Sequence, residues 1–435
     1  MRINPKMQLV NINGALAYTP IRNGYGEGLV IAAEANKNIM VLCADLTEST
    51  RSLVFQQKHP DRFIEMGVAE QNMASVAAGL AVAGKIPFIS SYAMFSPGRN
   101  WEQIRTTICY NNVPVKIAGA HAGISVGPDG ATHQAIEDVA IVRPIANMTI
   151  LVPCDAIEAR KATIAAAEYP GPVYLRFARD KTPIVTTEAT PYTIGKAELY
   201  CEGTDVAIVA MGTMVYESMV AAELLAKEGI NATVVNCHTV KPLDATTIIT
   251  VAKNCGCVVT AEEHQVLGGL GGAVAELLSS THPVPILRIG VQNKFGQSGT
   301  PDELLKLYGL KSTHIVSAAK QAIKMKYSTR NDDNRKKPVE KELAGRVLKP
   351  VHQSLAFRTK TGIIISSLPQ LHKAIRTMDP QTFNHHVTNA RNDFAQWVAD
   401  VHKDPDLAIA LQAATTPIST AHVIGARISQ LVRNQ

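Results

Sequence analysis

The sequence predicts an α/β protein with two parallel, doubly wound α/β domains followed by a small all-α domain. Short apolar runs alternate with helix-length stretches from residue 24 to about 180, and the same alternation returns from 205 to 326. A charged stretch follows, and beyond it apolar residues recur at helical spacing. We therefore expect α/β domains at 1–188 and 189–326, a charged linker at 327–350 and a small helical domain at 351–435.

The predicted strands of the first domain are near-continuous apolar runs, as expected when helices cover both faces of a parallel sheet. These runs lie at 39–44, 62–67, 86–91, 113–120, 148–153 and 171–177. Between them, the stretch EQNMASVAAGLAVAG (70–84) has the small residues of a closely packed helix, and 99–110 is amphipathic. This order predicts strand–helix–strand units on one sheet.

The second domain repeats this organisation after the segment TTEATPYTIG. Its predicted strands lie at 205–212, 232–238, 256–262 and 285–291, and its predicted helices at about 214–228, 244–254, 268–280 and 312–326. A short helix is expected at Asp302, because the preceding proline favours a first helical turn.

The net charge of +6 is confined to the last quarter of the chain. Residues 1–326 carry 28 Lys+Arg and 28 Asp+Glu, whereas 327–435 carry 15 and 9. The first two domains therefore give no electrostatic signal for nucleic acid or membrane. The stretch 327–350 holds 11 charged residues among 24 and almost no apolar periodicity, so it predicts an exposed linker.

The tail after residue 350 predicts helices whose aromatic residues form a core. Phe383, Phe394 and Trp397 recur at near-helical spacing, and the adjacent His385 and His386 cannot both face one metal ion. Its surplus of positive charge would fit an acidic partner or nucleic acid, but we expect a solvated basic face instead.

The seven cysteines are odd in number and lack the paired spacing of a metal site, so we expect buried, reduced thiols in a cytoplasmic protein. No apolar run approaches the roughly 20 residues of a membrane span. The N-terminus MRINPKMQLV has no secretory apolar segment.

Three segments could carry chemistry. Glu70 lies where a strand meets an apolar helix, and a helix-start acid favoured by the dipole explains it equally well. The glycine-rich stretch GAHAGISVGPDGATHQ (119–134) follows an apolar strand and holds His121, Asp129 and His133, which makes it a candidate ligand loop. Tyr92 and Phe95 end another strand, as core residues or as a platform for a flat ring.

These segments resemble the C-terminal half of transketolases. The resemblance rests on HPDRFIEMGVAEQNMASVAAGLAVAG, GPDGATHQ, TVKPLD, AEEHQVLGGLGGAVAE and SGTPDELLKLYGL, and runs from about residue 15 to 326. It implies a pyrimidine-binding domain followed by the family's C-terminal domain, with thiamine diphosphate as the cofactor. The reaction it implies is reversible transfer of a two-carbon ketol unit between sugar phosphates in the pentose phosphate pathway.

The resemblance assigns roles to the candidate residues. Glu70 matches the glutamate that hydrogen-bonds the aminopyrimidine of the cofactor, Tyr92 matches the aromatic ring that stacks on it, and Phe95 matches a pocket wall. The expected sugar-phosphate ligands are Arg22, Ser49, His121 and Arg179. Asp129 matches a contact to a donor hydroxyl, and His133 a catalytic contact near the reacting carbons.

One part of a complete thiamine enzyme is missing from the sequence. The Gly-Asp-Gly motif that marks the diphosphate- and metal-binding domain occurs nowhere in the chain, so we predict no metal ligands here. We expect a split transketolase in which an N-terminal-half partner chain binds the diphosphate through Mg²⁺ or Ca²⁺. The predicted assembly is a heterotetramer, or a homodimer of this chain.

Other readings stay open. A deoxyxylulose-phosphate synthase shares the loop type, but is an uninterrupted chain with an arginine-type residue where His121 stands. The β subunit of a 2-oxoacid dehydrogenase is split at the same place, but lacks the GPDGATHQ loop. A non-catalytic binding or regulatory relic is the remaining alternative.

Overall fold

The alternation of strands and helices that the sequence predicts is present in the structure of the protein, which is a computed structural model. It describes residues 1–388 and 390–433, with the side chains of 328–341 left undescribed. Two compact units result, Met1–Lys326 and Tyr327–Gln435.

The first α/β domain contains every strand predicted for it, together with short edge strands that the sequence did not indicate. Its strands and helices are β1 (Arg2–Ile3), β2 (Tyr18–Pro20), α1 (Ile21–Ala35), β3 (Ile39–Cys43), α2 (Leu53–Lys58), β4 (Phe63–Glu65), α3 (Glu70–Val82), β5 (Ile86–Tyr92), α4 (Trp101–Gln103), β6 (Lys116–Ala120), α5 (Asp138–Val142), β7 (Thr149–Leu151), α6 (Ala156–Glu168), β8 (Val173–Arg176) and β9 (Lys181–Pro183).

The main sheet of this domain runs in the order β7-β8-β6-β5-β3-β4, and all of these neighbours are parallel. Strands β5 and β6 lie at its centre and are almost entirely buried, which explains why apolar residues dominate them, although β5 also holds Ser90 and Ser91 and β6 begins with Lys116. The carboxyl ends of the parallel strands meet at one edge, where ligands bind in open α/β sheets.

Helix α1 packs closely on α6 through glycines. A side-chain carbon at Gly24 would collide with the backbone of Ala156, and one at Gly28 would lie 2.7 Å from Cβ of Thr163. Glycine is required at both positions because larger residues would push the helices apart. The first turn of α1, which carries Arg22, is therefore held firmly beside the sheet.

The second α/β domain is confirmed with every predicted strand present. Its elements are β10 (Glu198–Glu202), β11 (Val206–Ala210), α7 (Met214–Lys227), β12 (Ala232–Asn236), β13 (Thr239–Lys241), α8 (Ala245–Cys255), β14 (Val258–Gln265), α9 (Leu270–Thr281), β15 (Ile286–Val291), α10 (Pro301–Leu307) and α11 (Ser312–Val347).

Its sheet has the order β1-β10-β12-β11-β14-β15, so the N-terminal strand β1 pairs in this sheet and not in that of the first domain. Strands β12, β11, β14 and β15 are parallel. Strand β13 leaves this sheet and pairs antiparallel with β7 of the first domain. The side chain of Lys241 reinforces this crossing by donating to the carbonyl oxygens of Arg143 and Ile145 at 2.8 and 2.5 Å. The two α/β domains thus share a strand as well as an interface.

The second unit is helical apart from one small hairpin. Its elements are β16 (Phe357–Arg358), β17 (Ile364–Ile365), α12 (Leu368–Thr377), α13 (Pro380–His386), α14 (Asp393–Trp397), α15 (Pro405–Gln412) and α16 (Pro417–Arg433). Phe383, Phe394 and Trp397 belong to its core, as predicted. His386 is buried with its Nδ1 at 3.0 Å from Asp393, whereas His385 is exposed.

The predicted end of the helix at 326 was wrong, because α11 continues to Val347. Lys, Arg and Glu are good helix formers, and their abundance here removes the stop signal that a linker needs. The predicted exposure of 327–350 falls mostly on side chains outside the described residues and stays a prediction.

All seven cysteines are buried and unpaired, as predicted. Across the described residues, no helix combines the length and the apolar character that crossing a membrane requires.

Candidate active site

The predicted site residues gather at the carboxyl edge of the first sheet. Ser49 follows β3, Tyr92 ends β5, His121 follows β6 and Arg179 lies three residues after β8. Because neighbouring parallel strands end at the same edge, residues 130 positions apart in sequence come together there.

Glu70 opens α3 with its carboxylate buried at 3% exposure. Its Oε1 accepts a hydrogen bond from Nη1 of Arg99 at 2.9 Å, and its carbonyl oxygen accepts from Asn100 at 3.2 Å. Arg99 supplies the opposite charge that a buried carboxylate requires. The side chains of Glu70 and Arg99 line an open pocket of about 620 Å³, whose other lining residues are the neighbours of Glu70 within 68–72.

Four aromatic side chains form a continuous group beside this pocket. The ring of Tyr92 stacks on His121 with centroids 3.8 Å apart and lies parallel to Phe95 at 5.9 Å. Phe95 meets the edge of His133 at 5.4 Å, and the guanidinium of Arg99 lies 4.1 Å from the Phe95 centroid. Arg99 therefore connects the buried carboxylate to the aromatic rings.

His121 is a buried, neutral imidazole held among cations. Burial, followed by the charges of Arg22 and Arg179 and by His133, lowers its pKa to about 3. Nη1 of Arg22 lies 3.1 Å from its Nε2 and must be the donor, so the ring proton sits on Nδ1. That Nδ1 is buried and has no hydrogen-bond partner among the described residues.

Arg22 makes a second hydrogen bond and has one N–H group that no described residue accepts. Its Nη1 also donates to the carbonyl oxygen of Ser49 at 2.8 Å, and its Nε is buried without a partner in the described part of the chain. Burial and the nearby Arg51 lower the pKa of Arg22, yet the group keeps its charge at neutral pH. Buried donors left unpaired in a native fold call for a ligand or water.

The loop from His121 to His133 is shaped by both α/β domains. Oε1 of Glu263, on β14, accepts the backbone N–H of Ser125 at 2.6 Å, and Gln134 donates to the carbonyl oxygen of Gln297 at 3.0 Å. Arg179 donates to the carbonyl oxygen of Val126 at 2.7 Å. The second domain thus fixes the loop that carries the candidate ligands.

The structure brings all nine predicted residues into one contiguous group. Arg179 lies 3.9 Å from Asp129, which joins the end of the loop to the rest. Ser49 contacts Arg22 through its backbone carbonyl oxygen rather than through its hydroxyl group. Sequence reasoning missed two residues of this neighbourhood, Arg99 and Glu263. No sequence signal indicated either residue, because Arg99 lies in a turn segment rather than a helix and Glu263 depends on the docking of two domains.

Comparisons with known proteins assign both α/β domains to a family. Residues 18–184 match the transketolase pyrimidine binding domain, and residues 195–315 match the transketolase C-terminal domain. The protein named "Putative transketolase C-terminal section" from Methanocaldococcus jannaschii is 44% identical over 319 residues, which cover 73% of this chain and 99% of that protein.

Two further proteins with transketolase names match over nearly their whole length. The 6-deoxy-6-sulfo-D-fructose transketolase subunit SqwH of a Clostridium species is 42% identical, covering 70% of this chain and 95% of that protein. A solved structure described as a split gene transketolase, inactive beta4 tetramer, is 46% identical with a TM-score of 0.67, covering 71% of this chain and 99% of that one.

The two matched domains define a subunit of the thiamine-dependent class of enzymes. More narrowly, this chain belongs to the transketolase family and corresponds to its C-terminal half, in the form found in split-gene members, with an additional helical unit at its end. Membership of this family implies dependence on thiamine diphosphate.

Proposed function

We propose that this chain is the C-terminal subunit of a split transketolase of the pentose phosphate pathway. With a partner chain it would transfer a two-carbon ketol unit reversibly from a ketose phosphate to an aldose phosphate. The observation that carries the proposal is a pair of buried donors, Nε of Arg22 and Nδ1 of His121, which have no partner among the described residues and lie at the strand ends near Arg179.

These donors suit a sugar phosphate. Two guanidinium groups supply charge-assisted hydrogen bonds to phosphate oxygens, which are stronger than neutral ones. The neutral His121 adds an N–H donor without requiring a third buried cation. We assign Arg22, Ser49, His121 and Arg179 to the phosphate-bearing substrate, and Asp129 to one of its hydroxyl groups.

The residues present also fit thiamine diphosphate. The carboxylate of Glu70 lies in an open pocket, and only its Oε1 is engaged by the described residues. Glu70 would hydrogen-bond a ring nitrogen of the aminopyrimidine, with Tyr92 and Phe95 providing flat apolar surfaces. Bound thiamine diphosphate would supply the electron sink that lets the carbon–carbon bond of the ketose break.

His133 is assigned to proton handling near the reacting carbons. Its Nδ1 lies 2.9 Å from the hydroxyl of Thr132, and its ring edge meets Phe95, so both contacts orient the imidazole. An oriented imidazole can both accept and donate a proton, so it is suited to move a proton to or from a substrate oxygen.

A partner chain completes the site in this proposal. The sequence lacks the Gly-Asp-Gly motif, so the diphosphate and its Mg²⁺ or Ca²⁺ are assigned to an N-terminal-half subunit. The related split transketolase structure described as a beta4 tetramer is also described as inactive, which supports a need for the second chain. We infer a cytoplasmic heterotetramer with two copies of each subunit.

The test is reconstitution with the native partner. The chain and the partner that co-purifies with it are mixed with thiamine diphosphate and Mg²⁺, and transfer from xylulose 5-phosphate to ribose 5-phosphate is followed. We expect turnover only with both chains present, and loss of turnover in Glu70→Gln. The exposed Glu48→Gln serves as the matched control and should keep full activity.

Each alternative has its own outcome in this assay. Turnover with pyruvate as the sole donor would favour a deoxyxylulose-phosphate-synthase-like or 2-oxoacid dehydrogenase-like enzyme. A correctly assembled, cofactor-loaded complex without turnover on any of these donors would identify a binding or regulatory relic.

A further inference from the structure

A second cavity lies between the two α/β domains, at the contact between Ser125 and Glu263 that holds the candidate ligand loop. It has a volume of about 410 Å³. The first domain contributes Ser125 and Cys154, which follow strands β6 and β7. The second domain contributes Thr213, which follows β11, and Glu263, near the end of β14. The cavity therefore lies where the carboxyl edges of both sheets face one another.

The cavity lies at the carboxyl ends of β11 and β14 in the second sheet, a position at which ligands bind in open α/β sheets. From β11 the chain crosses to β12 on one side of the sheet, and later returns to β14 on the other side of β11. Such a reversal of strand order opens a crevice between the loops that follow the two strands. Thr213 and Glu263 flank this crevice.

The floor of the cavity holds buried polar groups. Glu263 is 2% exposed, and its carboxylate accepts from the N–H of Ser125 and from the hydroxyl of Thr213 at 2.8 Å. Ser125 is 4% exposed, and its Oγ has no hydrogen-bond partner among the described residues. Both hydrogen bonds to the carboxylate come from neutral donors. The buried guanidinium of Arg176 also interacts electrostatically with Glu263, but it is paired with Asp138 at 2.8 Å.

The ionisable side chains around the cavity carry more negative than positive charge. Four carboxylates line it against two ammonium groups, and one of these, Lys311, is held by Glu217 at 2.8 Å and by Asp302 at 2.9 Å. The surplus of negative charge attracts a cation and repels phosphate. The second site thus has the opposite preference to the candidate active site.

Apolar and aromatic groups provide the remaining contacts. Tyr18 is 55% exposed, and Tyr216 is half-buried at the same cavity, while Met214 contributes a buried apolar wall. Aromatic faces bind ammonium groups through their electron-rich rings, most strongly where water is excluded.

We propose that this cavity binds a small organic cation, whose ammonium group lies among Glu263, Tyr18 and Tyr216. A volume of 410 Å³ suits a metabolite rather than a peptide or a bare metal ion. The proposal does not depend on the proposed function, because the cavity is complete within this chain.

Binding is measured on the full chain alone, by titration calorimetry and by saturation-transfer NMR. The probes are choline, ethanolamine and putrescine, with 3,3-dimethyl-1-butanol as the uncharged analogue of choline and inorganic phosphate as the anion. We expect at least one amine to bind in the millimolar range or better. The uncharged alcohol should bind at least tenfold more weakly, and phosphate should not compete with the amine.

Two variants locate the site. Val220→Phe fills the cavity from its wall and should abolish amine binding, while Val432→Phe, on an exposed position of α16, should leave it unchanged. Glu263→Gln removes the charge and should weaken binding at least tenfold. The proposal is overturned if no amine binds, if the neutral alcohol binds equally well, or if Val220→Phe has no effect.

Discussion

His121 shows how a single buried side chain acquires its chemical character. Its backbone adopts a φ of +55°, a left-handed conformation that is uncommon outside glycine but that histidine, asparagine and aspartate adopt more often than other residues. This conformation turns the chain sharply at the end of β6 and places the imidazole against Tyr92 and Arg22. Burial and the neighbouring cations keep the ring neutral, so its Nδ1 is a donor without charge.

The lowered pKa of His121 predicts a specific pH dependence of stability. Between pH 6.5 and about 3 the unfolded chain binds a proton at this residue and the folded chain does not, so acid favours unfolding. From pH 6.5 to pH 5 the native state should lose about 2 kcal/mol through this group. His121→Asn, which tolerates the backbone conformation, should show a correspondingly shallower decline in denaturant unfolding.

His238, His264 and His402 have lowered pKa values of about 4 for the same reason, burial, and they contribute to the acid sensitivity of both proteins. The difference between wild type and His121→Asn isolates the one residue. Parallel pH profiles for the two proteins would contradict a neutral, buried His121.

The ion pair between Arg99 and Glu70 predicts an energetic coupling between the two residues. Arg99→Gln leaves the 3%-exposed carboxylate of Glu70 without its ion-pair partner, which should cost about 1–3 kcal/mol in the free energy of unfolding. In the double variant with Glu70→Gln no charge is left unpaired. We therefore expect the double variant to be more stable than the sum of the two single effects, measured by urea unfolding. Strict additivity would show that the ion pair is energetically silent.

At the scale of elements, strand β6 depends on a buried lysine. Lys116 is fully buried, and its Nζ donates to the carbonyl oxygens of Tyr169 and Gly171 at 2.6 and 2.7 Å. These bonds tie the turn before β8 to its neighbour strand β6. Burial lowers the pKa of Lys116 to about 7, so the amine is partly neutral under physiological conditions.

This lysine predicts that stability rises with pH in the alkaline range. Between pH 7 and 10.5 the unfolded chain holds a proton that the folded chain has lost, so raising the pH favours the fold. The gain from pH 7 to pH 9 should be about 2 kcal/mol. Lys116→Met should lack it, whereas Lys85→Met, at a partly exposed position, should follow wild type in the same unfolding series.

The elements differ in how far the sequence could predict them. Central strands such as β5 and β6 are buried on both faces and mostly apolar, so their sequence alone reveals them. Strands β2, β9 and β13 have only three residues each and exist because a partner strand lies beside them. No local pattern indicates that β13 leaves its own domain, since its pairing with β7 is decided by tertiary structure.

The residues of the candidate site also differ in how far the sequence could predict them. Its nine predicted residues follow apolar strands or stand in recognisable motifs, and all of them gather at one edge of the sheet. Arg99 and Glu263 act through contacts with residues 29 and 138 positions away, and no sequence periodicity reports such contacts.

At the scale of the molecule, the neutral first unit and the basic second unit have separate cores. The apolar clusters of the first unit end at Ala322 and its partly buried neighbour Ile323. The core of the second unit begins at Leu343. The domain boundaries proposed from the sequence, at 188, 326 and 350, can therefore be tested by truncation.

A chain ending at residue 330 should fold and unfold cooperatively with the melting temperature of the first unit in the full-length protein. It keeps Lys326, whose Nζ donates to the carbonyl oxygen of Cys255 at 2.6 Å, and it keeps the buried Ile315 and Ala319 of α11. A chain ending at residue 311 loses those two residues from the core, and it should be several kcal/mol less stable because a wall of the second domain is removed. Calorimetry and circular dichroism distinguish the two truncations. If the longer chain is molten, the first unit requires the helical second unit for its own stability, and the two units do not fold independently. If the two truncations unfold alike, residues 312–330 add nothing measurable to the core of the first unit.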